Sequence, residues 1–309
     1  MRLCIDLGGS SVRAGLMNDG VLVGTTSLIR SNSFDVNMLD MFVRAAVEEF
    51  NTDIDALAIA VPGVLDSGKC ALISAHGKYS ALLSFDLRNW ASDRFGVPVG
   101  LENDARAALL GELRFGDAAG ETDAVLMVLG TGIGTAAVME GVLVSGRHGH
   151  AGILGGHVTV DINAAECVCG NVGCAESLAS TWALGDALRN DPGYSESTWA
   201  TFPQPEDIEA LVSQATRGDE VSQRTLAHFV NVWGATLVSL CHAYDPEVVI
   251  VTGGVLHSAA AIKPQLQRYL HAHLWPSAHR PNFLVPAHPH LSVMRGLSAL
   301  ELSQQDSER

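Results

Sequence analysis

The stretch Cys4–Val23, CIDLGGSSVRAGLMNDGVLV, decides the fold, because much of it returns later in the chain. An apolar run ends in an aspartate, two glycines and two serines, and then an apolar-rich segment resumes. Leu126–Val144, LMVLGTGIGTAAVMEGVLV, repeats the plan: Leu7-Gly8 matches Leu129-Gly130, and Met17–Val23 matches Met139–Val144 with one residue dropped. A strand, a glycine turn and a second strand, used twice in one chain, imply two similar halves. Strands alternating with helical patterns elsewhere make those halves α/β.

At 309 residues the chain has length for two cores. It is 47% hydrophobic and 17% charged, with a formal net charge of −15. Lys69, Lys78 and Lys263 are its only lysines, so no basic stripe for duplex nucleic acid can be assembled. The N-terminal MRLCIDLGG enters a strand at once, without a signal-peptide pattern, and nowhere do 18 uncharged apolar residues run together. The expectation is a cytoplasmic protein without a membrane partner. Cys4, Cys70 and Cys241 stand alone in apolar segments, which is not the pattern of a disulfide scaffold.

Periodicity predicts strands at Leu3–Leu7, Val12–Leu16, Val21–Thr25, Ala56–Val61, Val97–Leu101, Ala124–Leu129 and Val248–Thr252. Helices are expected over Val36–Phe50, Leu87–Phe95, Ala105–Phe115, Asp207–Thr216, Asp219–Tyr244 and Gly296–Gln304. Arg189–Glu206, with three prolines, reads as a long surface loop. The late histidines His271, His273, His279, His288 and His290 share no metal-ligand spacing and read as surface residues.

A strand ending in Asp6-Leu7-Gly8-Gly9-Ser10 puts a carboxylate at its tip and bare amides beyond it. Glycine lets the turn approach a phosphate, and an Asp can hold Mg²⁺ through water. Gly130-Thr131-Gly132 repeats the turn with a hydroxyl in place of the Asp. It is not a dinucleotide fingerprint, since a strand and not a helix follows, and no Walker lysine accompanies it. One such turn alone is equally well a tight β-turn, whereas two in matched positions point to phosphate.

Glu102-Asn103-Asp104 sits where a strand meets a helix. There Asp104 is either an N-cap or a general base for a hydroxyl proton. His157, Cys167, Cys169 and Cys174 offer four donors, enough to close a tetrahedral Zn²⁺ site with no open position, so the metal is structural. Gly170 and Gly173 permit the turns that bring Cys174 back. Asp245–Val255, DPEVVIVTGGV, is a buried strand running into Gly253-Gly254, either a simple strand end or the floor of a nucleotide base, and alone it decides neither.

Taken together these motifs resemble the ROK family (repressor, open reading frame, kinase) of sugar kinases and regulators, over nearly the whole chain. DLGGSSVRAGL matches the first phosphate motif, AVPGVLD (Ala60–Asp66) the Pro-Gly-x-x-Asp segment, LENDA the catalytic segment, and CVCGNVGCAE the CxCGxxGCxE zinc signature. The resemblance implies a two-lobed actin-like ATPase (ribonuclease H-like) fold with a structural zinc site. Residues 1–116 with a C-terminal helix at about 292–309 would form one lobe and 117–291 the other. It implies ATP, Mg²⁺ and Zn²⁺ as cofactors, with ATP across both hairpins and the sugar between the lobes. Asp6 would assist Mg²⁺. Gly8, Gly9, Ser10, Gly130, Thr131 and Gly132 would hold phosphates, with Gly253 and Gly254 at the adenosine. Asp104 becomes the base on the sugar hydroxyl, with Asn103, His157 and Glu176 as further sugar contacts, and a homodimer is a common family assembly. Repressors of the family carry a winged helix before these lobes. A first strand at Leu3 leaves no room for one, which favours a kinase acting on a free hexose or N-acetylhexosamine.

Two departures stand out. Family kinases carry a glutamate three residues before the zinc histidine, where AGILGGHV places Leu154, or Ile153 with one residue inserted. The substrate then presents something apolar there, or His148 or His150 takes over, or the protein binds sugar without turning it over. Arg106 replaces a common family asparagine and reads as a solvated residue on the first helical turn.

Overall fold

A computed structural model describes residues 1–302 apart from 10, 27–32, 67–69, 76, 202–206 and 278. The chain divides into two compact units: 1–120 with 144–151 and 288–309, and 121–143 with 152–287.

In the first unit β1 (Arg2–Leu7), β2 (Val12–Asn18) and β3 (Val21–Thr25) form an antiparallel meander. Helix α1 (Val36–Phe50) leads to β4 (Ala56–Val61), which lies parallel to β1. A small hairpin, β5 (Val64–Asp66) and β6 (Ala71–Ser74), precedes α2 (Leu87–Phe95), β7 (Val99–Asn103) and α3 (Asp104–Phe115). The sheet order is β3-β2-β1-β4-β7.

The residues of β1 and β4 sort by size between the two faces. Leu3, Ile5, Leu7, Leu57, Ile59 and Val61 meet Leu39, Phe42, Val43 and Ala46 of α1. The opposite face carries the small Cys4, Ala58 and Ala60, against Ala107 of α3 and Met294 and Leu297 of the C-terminal helix. That last helix spans Ser292–Ala299 and not Gly296–Gln304, of which 303–304 lie outside the described residues. Gly296 is not the helix start. It lies instead at a backbone contact in the middle of the helix, where an added Cβ would stand 1.7 Å from the Ala107 carbonyl oxygen. Gly111 of α3 answers it, with a Cβ position 1.9 Å from the Ser292 carbonyl oxygen. Ser292 Oγ also donates to the buried Glu112 carboxylate.

The second unit repeats the plan. β8 (Ala124–Leu129), β9 (Ile133–Met139) and β10 (Val142–Leu143) are the meander, and β11 (Val248–Thr252) and β12 (Asn282–Leu284) are the parallel strands, in the order β10-β9-β8-β11-β12. Both meanders turn through two residues with positive φ, Asp19-Gly20 (44° and 77°) and Glu140-Gly141 (51° and 75°). This two-residue turn matches the right-handed twist of the flanking strands, so the repeat seen in sequence extends to backbone conformation. Helices α4 (Ala175–Ala179), α5 (Leu184–Arg189), α6 (Ile208–Thr216), α7 (Glu220–Tyr244) and α8 (Ala259–His273) complete the unit. Helix α7 is long and apolar enough to cross a membrane, but it is the core helix of this unit, with Phe229, Trp233 and Leu237 fully buried. Asp or Asn side chains cap α1, α2, α3, α6 and α7.

Several expectations need correction. The strand expected at Val97–Leu101 runs from Val99 to Asn103. Helix α8 was not foreseen, since Pro264 and a histidine-rich end mask its pattern. The described part of 189–206 is not a free surface loop: it makes two 3₁₀ turns, and Trp199 is 2% exposed with its Nε1–H donating to Ser222 Oγ at 2.7 Å. Residues 202–206 of that stretch lie outside the described residues. His271 is half-buried and its Nε2 is shielded from solvent, so it is not a surface residue.

Candidate functional site

In the first unit, β1 delivers Asp6 and the turn Gly8-Gly9, while Ser10 lies outside the described residues. Asp6 is 5% exposed. Burial pushes its carboxyl up, and Arg13, whose guanidinium lies 3.2 Å away, together with Lys78, opposes that push. The glycine turn is clamped by residues the sequence reading did not single out. Tyr79 Oη donates to the Gly8 carbonyl at 2.6 Å, and Lys78 Nζ donates to the carbonyls of Gly8 at 3.1 Å and Gly9 at 3.4 Å.

Asp104 opens α3, and its capping alternative falls away because Asn103 is the N-cap. The Asn103 side-chain oxygen accepts the N–H groups of Ala105 and Arg106, and its amide donates to the Gly63 carbonyl at 3.2 Å. Asp104 accepts the Ala105 N–H at 2.9 Å. Burial, and then the charge of Asp6, raise its carboxyl to about 6. That value suits a base working near neutrality. Burial also raises Glu102, on the strand just before.

Arg106 is not solvated. It is 4% exposed, and its guanidinium donates to the carbonyls of Val144, Gly149 and Ala151 at 3.1, 3.0 and 2.8 Å, with Glu102 3.8 Å away. It thereby fastens segment 144–151, with the exposed His148 and His150, to the unit that carries Asp104. Helical position alone could not reveal this, because the acceptors are some 40 residues further on.

In the second unit the turn Gly130-Thr131-Gly132 closes on itself, Gly130 N–H to Gly132 carbonyl at 3.0 Å. Glu176, at the start of α4, accepts the Ile133 N–H at 2.9 Å, and a Cβ on Gly132 would stand 2.4 Å from its carboxylate. Gly253 has φ +104° and no room for a Cβ, which would lie 2.2 Å from the Leu129 carbonyl oxygen. The end of β11 thus abuts the end of β8, and Gly254 beside it faces open space.

His157, Cys167, Cys169 and Cys174 converge, their ligand atoms all within 4.8 Å of one another. His157 Nδ1 lies 3.8 Å from Cys167 Sγ, and Cys169 Sγ 3.7 Å from Cys174 Sγ. Tetrahedral Zn²⁺ with bonds of about 2.0–2.3 Å spaces its ligands by roughly 3.5–3.8 Å, so the donor set fits the metal. Gly170 and Gly173 make the turns at φ +87° and +63°. Asn171 braces the loop, its amide within bonding distance of the His157 carbonyl, Thr159 Oγ1 and Cys174 Sγ. The loop ahead of His157 is held by the buried Thr135, whose Oγ1 donates to the Gly152 carbonyl and accepts the Gly155 N–H. There Ile153 points inward and Leu154 is 42% exposed.

Two matched five-stranded sheets with helical layers, each meander turning on glycines, define an actin-like ATPase fold. The ROK family pattern matches residues 2–304, and the chain belongs to that family. It is 30% identical to a glucokinase of Thermotoga maritima over 284 residues, 88% of each chain. It is 25% identical to a xylose repressor of Bacillus spizizenii over 231 residues, 75% of this chain and 56% of that one. Among solved structures, a ROK family glucokinase from Streptomyces griseus in complex with glucose and AMPPNP superposes with a TM-score of 0.79 at 25% identity. That match covers 96% of this chain and 97% of that one.

Proposed function

We propose that the protein is a sugar kinase that transfers the terminal phosphoryl group of ATP to the 6-hydroxyl of a free hexose or N-acetylhexosamine. The observation that carries this reading is Asp104: a carboxylate relieved of the capping role by Asn103, with its pKa raised to about 6.

In this reading Asp104 takes the proton of the sugar hydroxyl as that oxygen attacks phosphorus. Asn103 holds the base at the end of β7, and Asn103, His157, Glu176 and Leu154 contact the sugar. The amides of Gly8, Gly9 and Ser10 and of Gly130, Thr131 and Gly132 donate to phosphate oxygens, and Gly253 and Gly254 border the adenosine. Asp6 is the carboxylate for Mg²⁺, and a single carboxylate suits an ion that keeps most of its waters and binds substrate phosphates. When bound, Mg²⁺ neutralises charge on those phosphates. His157 and the three cysteines would hold a structural zinc, and Glu176 links that loop to the second glycine turn. A cytoplasmic setting, where thiols stay reduced, suits the Cys₃His set.

The test is coupled ADP release with MgATP and a panel of free hexoses that includes N-acetylglucosamine and N-acetylmannosamine. Turnover on one sugar, lost in Asp104→Asn, supports the reading. A second reading, a sugar-binding sensor without turnover, is favoured by the absence of a carboxylate at 153–154. It predicts thermal stabilisation by sugar with no ADP release. Leu154→Glu that improves turnover of an unmodified hexose would count against the sensor.

A further inference from the structure

Lys78 is one of three lysines in a chain of net charge −15, and it is half-buried on the first glycine turn. Its ammonium lies against the Gly8 and Gly9 carbonyls, and its charge reaches the buried Asp6. Tyr79, next in the chain, holds Gly8 from the same side, and its phenol feels both Asp6 and Asp104. Lys78 therefore stands with the turn and Asp6, and its neighbour Tyr79 connects them to Asp104.

We propose that Lys78 is a catalytic residue that donates a hydrogen bond to the phosphoryl group in transfer. The proposal rests on the kinase reading above. An ammonium has three N–H donors and no acceptor. Two are directed at Gly8 and Gly9, and the third is assigned to a non-bridging oxygen of the terminal phosphate. In the step itself, the sugar oxygen forms a bond to phosphorus and gives its proton to Asp104. The bond from phosphorus to the β,γ-bridging oxygen breaks, and ADP leaves with that electron pair. Lys78 keeps its proton throughout and opposes the charge spread over the equatorial oxygens. Walker-type NTPases obtain such a cation from the phosphate loop itself. Here the loop has none, and the cation comes from a 3₁₀ turn some 70 residues later.

The experiment compares wild type, Lys78→Met, Lys78→Arg and Tyr79→Phe in steady-state kinetics on the sugar that wild type turns over, with melting temperatures for all four. Expected is a loss of 100-fold or more in kcat for Lys78→Met with the sugar KM within about 3-fold, and recovery of at least tenfold by Lys78→Arg. Tyr79→Phe removes a bond to the same Gly8 carbonyl without removing charge, and its loss is expected to be far smaller. The proposal is overturned if Lys78→Met keeps kcat within 3-fold, if it raises only the sugar KM, or if Tyr79→Phe loses as much. Should Lys78→Met fail to fold, equal kcat losses in Lys78→Arg and Tyr79→Phe overturn it, and a well-retained kcat in Lys78→Arg alone supports it. If wild type turns over no sugar, the kinase reading fails separately, and AMPPNP titration then decides. Binding weakened tenfold or more in Lys78→Met keeps the phosphate contact, and unchanged binding removes it.

Discussion

The Asn103 side-chain oxygen accepts the Arg106 N–H at 3.2 Å, and that bond moves the capping role one residue ahead of Asp104. A carboxylate at the first helical position, not needed to hold the helix, is available for proton transfer. Asp104→Asn is expected to lower kcat by at least 10³-fold while the sugar Kd stays within a few-fold. In wild type, kcat/KM should rise with pH and level off above about 6, where Asp104 is ionised. A profile flat from pH 5 to 8 would speak against Asp104 as base.

The same raised carboxyl makes a stability prediction with a definite sign. Its folded pKa of about 6 lies above the unfolded value of about 3.9. Its contribution is complete below the unfolded value and is lost as pH rises through the folded one. Asp104→Asn should therefore stabilise the fold by about 1–3 kcal/mol at pH 8 and by much less at pH 4. Urea unfolding at the two pH values measures this difference.

Gly130 allows the proposed phosphate contact to be tested apart from folding. An added Cβ there meets nothing within 4 Å. Gly130→Ala should leave the melting temperature nearly unchanged and raise the ATP KM tenfold or more. Gly253→Ala, whose Cβ would collide with Leu129, should instead lower the melting temperature. Equal behaviour of the two variants would remove Gly130 from the phosphate site.

Arg106→Ala leaves three carbonyls without their donor and Glu102 without its neighbour. A loss of about 2–4 kcal/mol in stability is expected. Amide hydrogen exchange should accelerate in 144–151 more than in α3. Unchanged exchange in that segment would show that other contacts hold it.

The proposed zinc site supplies a fifth prediction. One equivalent of zinc per chain is expected by elemental analysis, lost in Cys174→Ser, with a fall in melting temperature. Glu176 bonds Ile133 at the second glycine turn, so the ATP KM should rise in the same variant.

Much of this was legible in the sequence, and the parts that were not share a cause. The repeated hairpin and the Cys₃His set are local patterns, and they announced the paired sheets and the loop on which those four donors converge. Contacts distant in sequence stayed hidden. Arg106 looked like a surface residue because nothing nearby in sequence names its acceptors. Lys78 and Tyr79 showed no motif, although they hold the first glycine turn. Gly296 gives no local sign that it lies mid-helix, because what requires a glycine there is the close packing of two backbones distant in sequence.

The Arg106-fastened segment also bears on how the chain can be cut. The polypeptide changes unit after Gly120, Leu143, Ala151 and Ala287. No single stretch of chain corresponds to either unit. A fragment ending near Gly120 would lack both the carbonyls that receive Arg106 and the helix whose Gly296 meets α3. Each repeated half is thus a module in architecture but not in the polypeptide, and dissecting this protein calls for circular permutation or split-chain complementation, not truncation.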